Sequence, residues 1–190
     1  MFVRKGTIYI ISGPSGVGKG TIIRELLKSR PLLKLSVSAT TRPPRAGEKN
    51  GIDYFFLSPE IFEQAICKDD FLEWCPVHSH KYGTLKSEVM KQVDKGVDVL
   101  LEIDVQGALK VKEKLPEAVS IFIAPPHMDS LKERLKDRNT EDQDEIERRL
   151  AIAQTELSFQ NRYDYRIVNA TVEHSVKEIL KIIERRSLVL

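Results

Sequence analysis

An apolar stretch at residues 7–12, joined directly to a glycine-rich segment, constrains the fold more than any other feature of the chain. The stretch is rich in β-branched and aromatic residues, as expected of a strand that is buried on both faces. After the glycine-rich segment, apolar residues recur at helical spacing from Ile22 to Leu27, and Pro31 ends the pattern. A buried strand, a tight turn and a helix in this order predict an α/β protein with a parallel sheet.

The glycine-rich segment, residues 13–21, matches the P-loop pattern as far as its lysine. Glycine permits backbone angles that are closed to other residues, so successive N–H groups can point at phosphate oxygens. The helix that follows adds the positive end of its dipole, and Lys19 adds a charge for the β- and γ-phosphates. The residues predicted to bind a nucleoside triphosphate are Gly13, Pro14, Ser15, Gly16, Val17, Gly18, Lys19, Gly20 and Thr21.

The position after Lys19 departs from the simplest P-loop, in which a Ser or Thr helps to hold Mg²⁺. Here Gly20 stands in that place and Thr21 follows. The sequence therefore favours a metal that is held mainly through phosphates and water, with Thr21 and Glu102 as outer partners.

Composition limits the number of domains and the classes of partner. A chain of 190 residues suits one domain, or a core with one small insertion. The net charge is only +2, from 30 basic and 28 acidic residues, which argues against a nucleic-acid partner. No secretory signal and no run of transmembrane length is found, and Cys67 and Cys75 form no disulfide framework. We therefore expect a cytoplasmic protein without a membrane partner.

Further strands and helices alternate along the chain. Strands are predicted at residues 35–38, 53–57, 71–77, 98–104, 118–123 and 165–169. Helices are predicted from residue 59 and at residues 131–138, 142–157 and 172–186. This alternation predicts a parallel sheet with helices on both faces. Residues 36–86 carry shorter, strand-rich units, which we interpret as an inserted subdomain.

P-loops occur in GTPases, ATPases, kinases and passive binding proteins, so other residues must separate these classes. The Asn-Lys-x-Asp stretch with which GTPases read guanine is absent from the sequence. Arg42 and Arg45 lie in a polar loop with two adjacent prolines, and two guanidinium groups close together suit one phosphate monoester. A solvated basic loop is the alternative.

The chain resembles bacterial guanylate kinases, which are P-loop nucleoside-monophosphate kinases, essentially from end to end. The stretches that carry the resemblance are residues 13–21, 38–47, 51–56, 71–74, 82–84, 102–107, 123–126 and 167–169. The resemblance implies transfer of a phosphoryl group from ATP to GMP with Mg²⁺, in line and without a covalent intermediate, in guanine nucleotide metabolism. It also implies a core (residues 1–35, 97–130 and 160–190), a GMP-binding subdomain (about 36–96) and a lid (about 131–159).

The resemblance assigns roles to the residues at matching positions. The GMP phosphate would be held by Arg42, Arg45, Tyr54 and Tyr82. The guanine would be held by Ser38, Glu73, Thr84 and Asp104. The transferred phosphoryl group would be covered by Arg134, Arg138 and Arg149, which with Lys19 and Arg42 form the catalytic set. Physical chemistry supports the guanine set, because guanine presents two donors that a carboxylate accepts, whereas adenine presents an acceptor at N1.

Glu102 and Asp104 end a predicted buried strand and are two residues apart, so both side chains should point one way. The carboxyl ends of strands in such sheets face the ligand crevice. We expect Glu102 to lie nearer the Mg²⁺ waters and Asp104 nearer the guanine. A pair of turn carboxylates is the alternative.

Some positions of the sequence depart from the pattern of the family. Lys81 replaces a second aromatic residue that relatives often carry, and Asn139 stands where many relatives have glycine. His78 and His80 lie near Cys75, but two loop histidines in this spacing favour solvent exposure over metal binding.

A catalytically inactive binding module and a kinase for another acceptor are the competing functions. The retained lysine and arginines oppose the first, and the acidic pair of Glu73 and Asp104 opposes the second. The resemblance leaves dGMP as an acceptor open, and it allows a monomer or a homodimer.

Overall fold

Five parallel strands form the central sheet of the computed structural model, which describes residues 4–77, 79–136 and 143–187. In spatial order they are β2 (Lys34–Leu35), β7 (Val99–Glu102), β1 (Ile8–Ser12), β8 (Val119–Ala124) and β9 (Tyr165–Val168). Every neighbouring pair is parallel. The predicted α/β fold class is therefore confirmed.

Helices cover both faces of this sheet because successive side chains of each strand point to opposite sides. In β1, Tyr9 and Ile11 pack on one side, and Ile8 and Ile10 pack on the other. All four side chains are buried, and burial of each isoleucine contributes about 1.5–3 kcal/mol. The first side is covered by α1 (Lys19–Ser29) and α7 (Val172–Ser187), and the second by α3 (Lys86–Val93) and α4 (Val105–Lys114).

A second sheet is inserted between β2 and β7. Its order is β4 (Phe55–Phe56), β3 (Ala39–Thr40), β6 (His80–Leu85) and β5 (Phe71–Val77). One face packs on α2 (Pro59–Cys67) through Ala39, Phe62 and Phe71. Ser58 caps α2 by accepting a hydrogen bond from the backbone N–H of Ile61. The expected helix start at residues 58–60 is thus confirmed.

The strand predicted at residues 35–38 is wrong as a single element. The backbone N–H of Ser36 donates to the carbonyl of Leu100 at 2.8 Å, which ends the pairing of β2 with the central sheet. The N–H of Phe55 donates to the carbonyl of Ser38 at 2.9 Å, which begins the second sheet. The chain therefore passes from one sheet to the other inside the predicted strand, because tertiary pairing overrides local propensity.

Two helices and a short 3-10 turn lie between β8 and β9. They are α5 (Met128–Lys136), α6 (Gln143–Ser158) and the turn Gln160–Arg162. α5 and α6 pack together through Leu131 and Ala153. The helices predicted at residues 142–157 and 172–186 are confirmed. The helix predicted at residues 131–138 corresponds to α5, and Arg138 and Asn139 lie outside the described residues. Within the described part of the chain, no helix is long and apolar enough to cross a membrane.

Candidate active site

The glycine-rich loop leaves the central strand β1 and leads into α1, which begins at Lys19. At Gly13 the backbone φ is 145°, and a Cβ there would lie 2.2 Å from the carbonyl oxygen of Ile123. Only glycine fits at this close approach to β8. The loop, the start of α1 and the carboxyl ends of the strands therefore meet at one edge of the sheet, as the sequence predicts.

The ammonium group of Lys19 folds back onto the loop that precedes it. Its Nζ donates to the carbonyl of Gly13 at 2.5 Å and to that of Pro14 at 3.1 Å. Burial lowers the pKa of Lys19, and the negative charges of Glu156 and Glu102 oppose this shift. The lysine is thus placed inside the phosphate loop and faced by carboxylates.

Glu102 ends β7 beside the first turn of α1. A Cβ at Gly20 would lie 3.9 Å from Oε1 of Glu102, an ordinary van der Waals distance, so the carboxylate lies close to the start of α1. Burial within the cleft raises the pKa of Glu102, and the charge of Lys19 opposes the rise. Thr21 is exposed on the same turn of α1. Among the described residues, no group of three or more His, Cys, Asp or Glu is placed to hold a metal ion.

The register of the second sheet places three of the predicted GMP-binding residues, Glu73, Tyr82 and Thr84, on one face. Glu73 pairs with Thr84, and Cys75 pairs with Tyr82, so these four side chains point the same way. Thr40 also pairs with Tyr82, which puts β3 in line with them. The opposite face packs on α2, so the polar face is free to line a pocket.

Glu73 is the buried acid of this face, with 6% of its surface exposed. Its Oε1 accepts a hydrogen bond from the Thr84 hydroxyl at 2.7 Å. Burial raises the pKa of Glu73, the negative charge of Asp104 adds to the rise, and the Thr84 hydroxyl opposes it. Such a carboxylate is costly to bury and gains most from a ligand that presents hydrogen-bond donors.

Asp104 comes from the central sheet edge and meets Glu73 across Gly107. It is the N-cap of α4 rather than a strand residue, and its Oδ1 accepts from the Gly107 N–H at 2.6 Å. A Cβ at Gly107 would lie 3.0 Å from Oε2 of Glu73 and 3.3 Å from Oδ1 of Asp104. The expectation that Glu102 and Asp104 both lie on the strand is therefore wrong, since β7 ends at Glu102. Glu102 lies beside the phosphate loop, and Asp104 lies beside Glu73.

Arg42 lies among aromatic rings at the other end of the same pocket face. Its guanidinium lies 5.5 Å from the ring centre of Tyr54, and the Tyr54 and Tyr82 rings are 5.9 Å apart. Nη2 donates to Oε1 of Glu48 at 2.9 Å, and Nη1 donates to the carbonyl of Pro43 at 2.8 Å. The sequence-predicted set of Arg42, Tyr54 and Tyr82 is thus brought together.

Arg45 and Ser38 flank this cluster. The Arg45 side chain is exposed, and its backbone N–H donates to Oε2 of Glu48 at 2.7 Å. The Glu48 carboxylate therefore accepts hydrogen bonds from both Arg42 and Arg45. Ser38 is half-buried just before β3.

Two of the arginines predicted to close over the site lie on described helices, Arg134 on α5 and Arg149 on α6. Arg149 reaches the phosphate loop, where its Nη2 donates to the Ser15 hydroxyl at 2.6 Å. Arg134 is on α5, but its side chain and all of Arg138 lie outside the described residues.

Sequence reasoning missed three residues that contact the site. Glu48 fixes Arg42, and its position six residues later in one loop was an available signal. Cys75 donates from Sγ to Oδ2 of Asp104 at 3.7 Å, and burial raises its pKa to about 12. Oε2 of Glu156 is buried without a hydrogen-bond partner among the described residues, and the carboxylate faces Lys19. The signal available in the sequence is that Glu156 is the one charged residue between Arg149 and Arg162.

A parallel sheet whose central strand ends in a phosphate loop defines a P-loop nucleotide-binding protein, and the second sheet adds a polar face that carries the buried carboxylate of Glu73. The family model described as guanylate kinase matches residues 5–186. The chain therefore belongs to the guanylate kinase family and is an enzyme of that family.

Individual relatives cover nearly the whole chain. A guanylate kinase from Caldanaerobacter subterraneus subsp. tengcongensis is 52% identical over 95% of this chain and 87% of its own length. One from Clostridioides difficile is 51% identical over 96% of this chain and 89% of its own length. The crystal structure of guanylate kinase from Anaplasma phagocytophilum aligns with a TM-score of 0.74, at 36% identity, over 97% of this chain and 87% of that one.

Proposed function

We propose that this enzyme transfers the γ-phosphoryl group of ATP to GMP and releases ADP and GDP. Membership of the guanylate kinase family implies ATP-dependent phosphorylation of GMP. One observation of the structure supports GMP as the phosphoryl acceptor. The buried carboxylate of Glu73 and that of Asp104 approach Gly107 from two sides, beside the Thr84 hydroxyl.

This pair of acids suits guanine rather than adenine. The pairing edge of guanine presents N1–H and a 2-amino group, both donors, to carboxylate oxygens. Adenine presents an acceptor at N1, which would leave carboxylate lone pairs facing another lone pair. A mismatch of this kind at buried hydrogen bonds costs roughly 3 kcal/mol or more. The Ser38 hydroxyl would supply a donor to an acceptor of the base, while the Thr84 hydroxyl, which donates to Glu73, orients that carboxylate.

The phosphate of GMP would lie at the basic end of the pocket. Arg42 offers a guanidinium already oriented by Glu48, and Tyr54 and Tyr82 offer phenol hydroxyls beside it. Arg45, from the same loop, would add a second guanidinium group with paired N–H donors for the phosphate oxygens. The two ends of the pocket thus fix the acceptor through its base and its phosphate.

The donor half of the site is the phosphate loop. Backbone N–H groups of residues 13–21 would cradle the ATP phosphates, with Lys19 on the β- and γ-phosphates. Mg²⁺ bound with ATP would neutralise charge on these phosphates, and the residues placed to hold its water shell are Glu102 and Thr21. Their positions beside Gly20 fit such an outer role.

Transfer itself needs positioning and charge stabilisation rather than covalent chemistry by the protein. Arg149, which already contacts Ser15, would lie over the transferred group, with Arg134 and Arg138 closing from the same lid. Closure of the lid excludes water and so limits ATP hydrolysis. We accordingly assign residues 1–35, 97–130 and 160–190 to the core, about 36–96 to the GMP-binding subdomain and about 131–159 to the lid.

A coupled assay of ADP release with GMP, dGMP, AMP, CMP or UMP as acceptor tests this function. We expect turnover with GMP far above that with AMP, CMP and UMP, and the dGMP rate reports whether the ribose 2′-hydroxyl is required. A Lys19→Ala variant is the control for contaminating kinases, since its turnover should fall by orders of magnitude. A rate with GMP no higher than with AMP would refute the assignment.

A further inference from the structure

The side chain of Asn169 connects the last strand to the phosphate loop. Asn169 follows β9 directly and is 3% exposed. Its Nδ2 donates to the carbonyl of Val17 at 2.8 Å, across 152 residues of sequence. Its backbone N–H donates to the carbonyl of Ala124 at 2.8 Å, which fixes Asn169 at the end of β8.

Ser175 sets the orientation of the Asn169 amide. Ser175 lies on α7, is fully buried, and donates from Oγ to Oδ1 of Asn169 at 3.0 Å. Because the amide oxygen is engaged by this hydroxyl, the amide nitrogen faces Val17, whose carbonyl can only accept.

The position of Val17 makes this contact relevant to phosphate binding. Val17 lies between Gly16 and Gly18, whose φ angles are 80° and 98°. Its own side chain is fully buried in the core with α1 and α7. In a planar trans peptide the C=O and the next N–H point in opposite directions. A Val17 carbonyl held towards Asn169 therefore turns the Gly18 N–H towards the opposite, concave side of the loop.

We propose that Asn169, oriented by Ser175, is a positioning residue of the phosphate loop. It holds the Val17–Gly18 peptide so that the Gly18 N–H faces a nucleotide phosphate. This inference rests on the proposed function for the identity of the ligand, ATP or ADP. It assigns a role in the site to the end of β9 and to α7, neither of which supplies a residue to the acceptor pocket.

Direct binding of ADP and of GMP to Asn169→Asp, Ser175→Ala and the wild type tests the proposal by calorimetry. The aspartate keeps the shape of the asparagine but cannot donate to the Val17 carbonyl when ionised. We expect ADP to bind roughly 10-fold more weakly or worse to Asn169→Asp, and roughly 3-fold more weakly to Ser175→Ala. GMP affinity should stay at the wild-type value in both, because its pocket is built from the second sheet and α4.

Two features of the design separate positioning from other causes. Asn169 also borders a cavity of about 380 Å³ beside the loop, where a nucleotide could touch it directly, whereas the buried Ser175 cannot touch a ligand. Ser120→Ala is the matched control for stability, since Ser120 is a buried serine of β8 that bonds to Asp164, away from the loop. It should lower the melting temperature and leave ADP affinity unchanged.

Wild-type ADP affinity in Ser175→Ala, together with a melting temperature lowered as in Ser120→Ala, would overturn the proposal and leave a structural role only. That result decides the question even if Asn169→Asp does not fold. Equal losses of ADP and GMP affinity would overturn it as well. A wild type that binds ADP but does not turn over GMP would refute the proposed function, while the ADP comparison would still decide the role of Asn169.

Discussion

Replacing Glu73 by glutamine should weaken GMP binding while making the folded protein more stable at neutral pH. The substitution keeps the shape of a side chain that is 6% exposed and removes its charge. The Thr84 hydroxyl, 2.7 Å from Oε1, would hold the oxygen of the new amide. The amide NH₂ would then face the pocket, where guanine presents donors.

The size of the effect follows from the hydrogen bonds that change. One charged acceptor is lost, and a donor now faces a donor. A hydrogen bond to a charged group contributes about 1.5–3 kcal/mol, so the affinity for GMP should fall roughly 10- to 150-fold. The phosphate loop lies at the edge of the central sheet, whereas Glu73 lies in the second sheet, so the KM for ATP should not change. Discrimination against AMP should shrink, because the amide can donate to adenine N1.

The stability effect has the opposite sign. Burial raises the pKa of Glu73 in the folded protein above its ordinary value of 4.5, and the charge of Asp104 adds to the rise. The ionised carboxylate therefore costs stability above the raised pKa, and this cost disappears below the pKa of the unfolded chain. The neutral amide of the glutamine variant carries no such cost. The variant should melt at a higher temperature than the wild type near pH 8, and the difference should vanish towards pH 4.

Steady-state kinetics with each substrate varied, and thermal melts from pH 4 to pH 8, test both parts. The matched control is Glu63→Gln, a glutamate of α2 whose carboxylate is paired with Lys81 on the surface rather than buried in the pocket. Glu63→Gln should leave the KM for GMP unchanged. Its melting temperature should differ from that of the wild type by the same amount near pH 8 as near pH 4. Equal increases in the KM for GMP and for ATP would refute the placement of Glu73 in the guanine pocket. A Glu73→Gln variant less stable than the wild type at pH 8 would refute the desolvation argument.

Three further substitutions or modifications test separate contacts. Gly107→Ala should raise the KM for GMP several-fold without loss of stability, since a Cβ would crowd both pocket carboxylates while alanine favours the helix by up to about 1 kcal/mol. Arg42→Lys should raise the KM for GMP roughly 10-fold despite the retained charge, because an ammonium cannot bond Glu48 and the Pro43 carbonyl as a fork. Iodoacetamide at pH 8 should alkylate exposed Cys67 well before Cys75, whose pKa is raised to about 12. Mass spectrometry of the peptides measures the extent of alkylation at each cysteine.

Contrary results would be specific to each contact. A KM for GMP unchanged in Gly107→Ala would show that the two carboxylates can separate freely. Wild-type kinetics for Arg42→Lys would show that GMP binding requires a positive charge at this position but not the geometry of a guanidinium group. Equal alkylation of both cysteines would show that the thiol bond to Asp104 opens readily in solution.

Local patterns were enough to predict the strand, loop and helix of residues 7–29 and the cap of α2. Each depends on interactions within a few residues, such as helical spacing, positive φ at glycine and a serine N-cap. The family resemblance identified the residues predicted to bind GMP, but it did not explain how they come together in the fold. The alternation of β5 and β6 does so, since Glu73 and Thr84 face each other across the hairpin.

Contacts between residues that are distant in the chain depend on the tertiary structure. Residues 34–40 divide between two sheets, and Asp104 caps α4 while it faces Glu73 and Cys75. Glu156 and Asn169 reach the phosphate loop from the last third of the chain. These contacts depend on which strand edges and helix faces pair when the whole core is buried. Local rules are enough to predict a phosphate loop on a parallel sheet, whereas the placement of Glu73, Asp104 and Glu156 depends on the packing of all the elements around them.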